Sequence, residues 1–121
     1  MPARDIVQRY YDSLAARTSD WQQLYADDAT FSDAAEILRA NGRQAVIESF
    51  TPFLKGVTRV QVKRMIVDEN AACAIIGYEY QNPKGQKMSQ DVAEVWEARG
   101  EKLIRLTIYL DLTAYRSFMR G

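Results

Sequence analysis

Ile6, Val7, Tyr10 and Leu14 recur at three- and four-residue spacing, a stripe that predicts an amphipathic helix over residues 4–17. Ser19 suits a helix cap, with Gln22 at the reciprocal capping position, so a second helix carrying Trp21, Leu24 and Tyr25 is expected to end near residue 26. Asp27 and Asp28 favour a turn, because their short carboxylates bond nearby backbone. Thr30 and Phe31 favour a strand, expected over residues 29–33 and ending on Asp33. Residues 34–42 read as a loop punctuated by Asn41-Gly42. Val46, Ile47, Phe50 and Leu54 then give another helical stripe. Pro52 interrupts it, since proline lacks an N–H and crowds the preceding turn. A kink or loosened last turn is expected there, with Gly56 as the stop.

After residue 56 the period changes. Residues 57–67 are rich in β-branched side chains, and Asp68-Glu69-Asn70 reads as a turn. Residues 71–80 form the next expected strand, followed by the strong turn signal Asn82-Pro83-Lys84-Gly85. Residues 87–98 and 103–112 complete a four-strand antiparallel meander, joined through Arg99-Gly100-Glu101. A short helix is expected over residues 113–120. Helices first and a meander last predict an α+β fold. A curved antiparallel sheet of four to five strands, wrapped on the first and third helices, would enclose an apolar cone.

Composition narrows the chemistry. At 121 residues the chain suits one domain, and its 16 basic and 16 acidic residues cancel. Bulk charge therefore gives no case for nucleic acid or an anionic membrane. No apolar run reaches the roughly 20 residues that span a bilayer, and residues 1–5 lack the apolar segment of a secretion signal. A single cysteine, Cys73, excludes an internal disulfide framework and permits a reducing cytoplasm, where the protein is expected. The chain has no histidine, which removes the commonest general base and metal ligand. Acid-base chemistry must then use Asp, Glu, Tyr or Lys, and no metal or redox cofactor is expected.

The run Tyr25-Ala26-Asp27-Asp28-Ala29-Thr30 followed by Asp33 resembles the first-strand signature of the ketosteroid-isomerase-like, polyketide-cyclase-like (SnoaL-like) branch of the nuclear-transport-factor-2-like superfamily. Val7-Gln8-Arg9-Tyr10, Gly42 opening the third helix, and Glu94-Val95-Trp96 to Lys102-Leu103-Ile104 extend the resemblance over nearly the whole chain. It implies a cone-shaped α+β barrel of cystatin-like layout. In ketosteroid isomerases a tyrosine of the first helix and an aspartic acid of the sheet donate hydrogen bonds to the substrate's oxygen, while an aspartate ending the first strand moves the proton. By resemblance Tyr10 matches the tyrosine, Asp33 the base and Glu94 the second donor. Glu94 is one methylene longer than the family's aspartate, and Ala34 follows Asp33 where the isomerases usually have proline.

Each residue also has a plainer reading. Asp33 is either a cavity acid-base group with its pKa raised by an apolar wall, or a turn aspartate capping backbone N–H groups. Tyr10 lies on the helix stripe, where core packing is the alternative to an oxyanion donor. Glu94 alternates with Val92 and Trp96, so the three share one sheet face. That face points either into the cone, with Glu94 protonated and donating, or outward, with Glu94 ion-paired. Phe50, Phe53, Leu54, Trp96 and Tyr109 are candidate linings of a pocket for a flat hydrophobic ligand, or plain core. Asp91 and Asp111 read as solvated strand-end charges, Cys73 as core, and Arg59, Lys63 and Arg64 as a solvated face.

Two functional expectations follow. One is a cofactor-free isomerase or cyclase that moves a proton next to a carbonyl of a small hydrophobic substrate. The other is a non-catalytic binding or assembly module on the same cone, since one fold hosts many roles. Convergence of Tyr10, Asp33 and Glu94 on one cavity would distinguish them. An open Val/Ile/Trp-bearing sheet face favours a homodimer.

Overall fold

The N-terminal stripe forms α1 (Ala3–Ala16), one residue earlier at each end than its spacing predicts. The computed structural model describes residues 2–121, so Met1 lies outside them. Arg17 closes α1 in the left-handed region (φ 59°) and returns its N–H to Leu14 O at 3.2 Å.

The expected second helix is a 3₁₀ turn, Asp20–Leu24. Ser19 makes no side-chain cap. Instead Ser13 Oγ on α1 accepts the Trp21 N–H at 3.0 Å and pins the turn to the first helix. This short turn leaves residues for the sheet, and β1 runs Tyr25–Asp33, starting four residues before its expected start. Asp27 and Asp28 are a solvent-facing slip in the β1 register rather than a turn. Arg99 forks Asp28 at 2.9 and 3.3 Å, and Arg43 lies 3.5 Å from Asp27. Cross-strand partners override the local turn preference of the two aspartates.

The expected loop contains a further strand, β2 (Arg39–Asn41), paired antiparallel with β1. Gly42, at φ 92°, turns the chain into α2 (Arg43–Lys55), a backbone conformation that favours glycine. Pro52 sits within α2, and the helix ends three residues later. The Gly56 N–H then bonds Phe53 O at 3.2 Å, a tightened last turn in place of a break.

The meander forms in the expected order, β3 (Val57–Asp68), β4 (Ala71–Gln81), β5 (Lys87–Arg99) and β6 (Lys102–Tyr109), each antiparallel to the next, but β6 ends three residues before its expected end because Asp111 caps the following helix. Helix α3 (Leu112–Arg120) ends the chain. The whole is one curved, unclosed mixed sheet in the order β2-β1-β6-β5-β4-β3, six strands where four to five are expected. The parallel β1–β6 pair joins the two ends of the sequence, a contact that local pattern does not encode.

Strict alternation sorts the two faces. Phe31, Ile76, Val92, Trp96 and Leu106 point into the concave side and are buried under α1 and α2. Cys73, Ile75, Ala93 and Val95 lie on the outer side and stay half-buried. Gly77 opens that outer face locally: a Cβ there would meet Lys63 Cε at 2.9 Å, on the path by which Lys63 reaches Asp91.

Candidate functional site

The concave face carries an acidic group in its centre. Strand β5 turns Glu94 inward beside its register partners Ala74 on β4 and Ile108 on β6, and leaves it 2 % exposed. Of the two placements open for the face of Val92, Glu94 and Trp96, the inward one is observed.

Two tyrosines hold the carboxyl. Tyr11 on α1 donates its hydroxyl to Glu94 Oε1 in a short hydrogen bond. Tyr78 on β4 reaches both oxygens, at 3.1 and 3.0 Å. Trp96 Nε1 donates to the Tyr11 hydroxyl at 2.9 Å, so the chain of bonds runs from indole to phenol to carboxyl. Burial disfavours the charged form and pushes the Glu94 carboxyl up to about 7, against the opposing pull of the Tyr11 and Tyr78 hydrogen bonds. The same burial, with Glu94's charge beside them, holds the Tyr11 and Tyr78 hydroxyls well above the usual phenol range. Both therefore remain proton donors at neutral pH.

The family-matched tyrosine lies close by but bonds a different group. Tyr10 packs edge-on against Trp21, Tyr25 and Trp96, and its hydroxyl receives that of Tyr25 at 3.3 Å. The tyrosine of α1 that bonds Glu94 is Tyr11, not the family-matched Tyr10. Adjacent helix residues point about 100° apart, so once the aromatic cluster holds Tyr10, Tyr11 is the one aimed at the sheet. The sequence signal for Tyr11 was its place four residues after Val7 and three before Leu14. Tyr78 alternates with Ile76 and Tyr80, but only strand pairing brings it to Glu94.

Asp33 ends β1 on the same side as Phe31 and is 3 % exposed. Its Oδ1 accepts the Leu38 N–H at 2.8 Å, closing the turn that leads into β2. Neither Tyr10 nor Asp33 hydrogen-bonds Glu94; Asp33 lies in the same register row as Glu94, with Ile108 of β6 between them, and its Oδ1 makes the backbone contact of the capping reading. The two carboxylates read as strand-end charges have partners of their own. Asp91 pairs with Lys63 at 2.8 Å, and Asp111 caps α3 by accepting the Ala114 N–H at 2.9 Å. Among the described residues, no three of His, Cys, Asp and Glu group in a way that could hold a metal ion.

The candidate lining residues divide. Phe50 and Phe53 line a cavity of about 390 Å³ at the open end of the cone, with Phe31, Ile108, Leu110 and Tyr115. Leu54 lines a separate cleft of about 540 Å³ between the ends of α1 and α2 and the start of β3. Trp96 is fully buried beside Tyr11. Tyr109, next to inward-facing Ile108, is turned to the outer face by strand alternation and is half exposed. Glu94 lines neither of these two cavities, but the side chains of Tyr78 and Phe53 stand between it and the mouth cavity. Phe53 lines that cavity and packs edge-on against Tyr78 with centroids 5.3 Å apart, while Ile108 lines it and neighbours Glu94 across the sheet.

Comparison with known proteins agrees with this architecture. A family model described as a SnoaL-like domain matches residues 7–106. The crystal structure of TerC co-crystallised with polyporic acid superposes with a TM-score of 0.86 at 13% identity, covering 100% of both chains. A candidate SnoaL-like polyketide cyclase from Jannaschia gives 0.84 at 14% identity, covering 98% of this chain and 92% of that one. A protein with a ketosteroid-isomerase-like fold from Catenulispora acidiphila, in complex with trimethylamine, gives 0.75 at 15% identity, covering 95% and 92%. At these identities the likeness is one of fold. No curated protein sequence matches.

Proposed function

This chain belongs to the SnoaL-like domain family, and from that premise we propose that it is a cofactor-free isomerase or cyclase in which Glu94 moves a proton next to the carbonyl of a small hydrophobic substrate. The observation that carries this reading is the buried Glu94 carboxyl, bonded by Tyr11 and Tyr78 and pushed up to about 7 beneath an apolar cavity. A group with its pKa near the working pH both accepts and returns a proton readily. As carboxylate, Glu94 takes a proton from the carbon beside the carbonyl, and the C–H electron pair becomes an enolate. A tyrosine hydroxyl stabilises the enolate oxygen. In isomerisation the proton returns to a different carbon. In cyclisation the enolate carbon attacks a second carbonyl of the same molecule, and the new alkoxide takes the proton. Neither route uses an external oxidant or reductant. Phe53, at the end of α2, is the side chain that must turn aside to admit the substrate carbonyl.

The test is exchange of deuterium from heavy water into the methyl group of acetylnaphthalene, followed by NMR. The protein should accelerate exchange, and Glu94→Gln should remove the acceleration. Unaccelerated exchange across a panel of such ketones, esters included, sinks the reading.

A second reading, a ligand-binding module without chemistry, is favoured by one observation: Asp33 spends an oxygen on the Leu38 N–H, as a turn-capping aspartate does. It predicts ligand binding without exchange.

The protein is also proposed to act as a homodimer in the cytoplasm, joined through the outer sheet face. Ile66, Cys73, Val95 and Thr107 are in register across β3–β6, and Ile66 and Tyr109 are 51 % and 50 % exposed. Two charge pairs beside this row, Lys63 with Asp91 and Arg105 with Glu97, are neutralised within the chain, which suits contact with an identical surface.

A further inference from the structure

The mouth cavity has a charge pattern that the proton-transfer reading does not use. Its floor and walls are apolar: Phe31, Phe50, Phe53, Ile108 and Tyr115. Its lining also includes two exposed arginines from distant parts of the chain, Arg39 of β2, which also borders a neighbouring groove, and Arg116 of α3. No carboxylate lines the cavity. Arg43 pairs with Asp27, Arg99 with Asp28 and Arg105 with Glu97, while, among the described residues, Arg59 and Arg64 of β3 have no ion pair but line the outer strand away from this cavity. Among the described residues, neither Arg39 nor Arg116 has a carboxylate within ion-pairing distance. The nearby acids are engaged or outside. Asp111 holds the Ala114 N–H, Asp33 Oδ1 holds the Leu38 N–H, and Glu36 lies with Arg39 on the outer groove without pairing to it.

We propose that the mouth cavity binds an amphipathic carboxylate, its flat hydrophobic body among the phenylalanines and its carboxylate held at the rim by Arg39 and Arg116. The cavity, at about 390 Å³, lies in the size range of small-molecule sites. The planar guanidinium fork matches a carboxylate by two parallel hydrogen bonds. Two cations without internal partners raise the local concentration of such an anion and reject a cationic one. The inference rests on the proposed function for its claim that the bound molecule is a substrate, and it makes the substrate a hydrophobic keto acid or related acid. The carboxylate stays at the rim, so the reacting carbonyl is the end nearest Phe53.

The experiment compares two probes of nearly the same shape by isothermal titration: naphthoate, which carries the carboxylate, and acetylnaphthalene, which does not. Naphthoate should bind about tenfold more tightly at low salt, and the difference should shrink as salt screens it. Arg39→Gln and Arg116→Gln should each weaken naphthoate by about three- to tenfold and leave acetylnaphthalene unchanged, the range for partly exposed charge pairs. Arg39→Lys and Arg116→Lys should restore part of the loss. Circular dichroism confirms that each variant is folded. Equal affinity for the two probes, naphthoate binding indifferent to both arginines, or binding of neither probe overturns the proposal. Deuterium exchange into acetylnaphthalene is read separately on the wild-type protein. Naphthoate binding without exchange removes the catalytic reading and leaves the ligand class standing; exchange without a carboxylate preference does the reverse.

Discussion

The hydroxyl of Tyr78 bridges both carboxyl oxygens of Glu94, at 3.1 and 3.0 Å, although the register partner of Tyr78 is Gln90, four positions away on β5. The two long side chains meet diagonally over the concave face. With Tyr11 on the other flank, they put a titratable group where water does not reach, and its consequences are measurable.

Stability should fall as pH rises from about 4.5 to about 7. In the unfolded chain Glu94 ionises near its ordinary value of 4.5, whereas in the folded protein it holds its proton to about 7. The Glu94 contribution is therefore fully present below about 4.5, declines between 4.5 and 7, and is lost above 7. At about 1.4 kcal/mol for each tenfold change in proton affinity, the loss is about 3 kcal/mol. Urea denaturation at the two ends of the range measures it. Glu94→Gln should flatten this part of the profile, and a wild-type profile already flat there refutes the burial argument.

Removing either tyrosine hydroxyl should move the Glu94 midpoint upward. Both hydroxyls donate to the carboxylate, and loss of a donor to the charged form disfavours that form. The stability costs should differ. Tyr11→Phe also orphans the buried Trp96 N–H and should cost about 1–3 kcal/mol, against about 1 kcal/mol for Tyr78→Phe. Carbon-13 NMR of the glutamate carboxyl follows the midpoint. A downward move in either variant contradicts the geometry.

Asp33→Asn separates the two carboxylates. The asparagine oxygen still accepts the Leu38 N–H, so the turn before β2 should hold and exchange activity should stay within a few-fold of wild type. Glu94→Gln should lower activity by about 10²–10⁴-fold, the usual worth of general acid-base catalysis. Asp33→Ala should instead lower stability by about 1–3 kcal/mol, through the unpartnered Leu38 N–H. A hundredfold activity loss in Asp33→Asn would return the base to Asp33.

Sedimentation equilibrium at micromolar concentration should give twice the mass of the chain. Val95→Arg, in the middle of the outer row, should shift the protein to monomer without unfolding it, because Val95 is half-buried and faces away from the core. A wild-type monomer removes the dimer proposal.

Much of this architecture was readable from local pattern. The helix stripes of Ile6 to Leu14 and Val46 to Leu54, and the alternation from Val57 onward, record which side of each element meets water, and that side is set by short-range geometry. Alternation alone placed Glu94 on the face of Trp96, and the lack of histidine limited any acid-base group to a carboxyl, phenol or amine. What remained lay in contacts between distant residues. The parallel pairing of β1 with β6 drew Tyr25 to Ala26 out of the expected helix and into a strand. The Arg99 and Arg43 side chains turned an acidic turn into a register slip. The roll of α1, fixed by Tyr10 among Trp21, Tyr25 and Trp96, chose Tyr11 over Tyr10 as the partner of Glu94. A sequence states periodicity residue by residue, but which of two adjacent side chains fills a given space depends on every surface packed around it. The tertiary structure alone decided that Glu94 would be buried between Tyr11 and Tyr78 rather than paired with a cation at the surface.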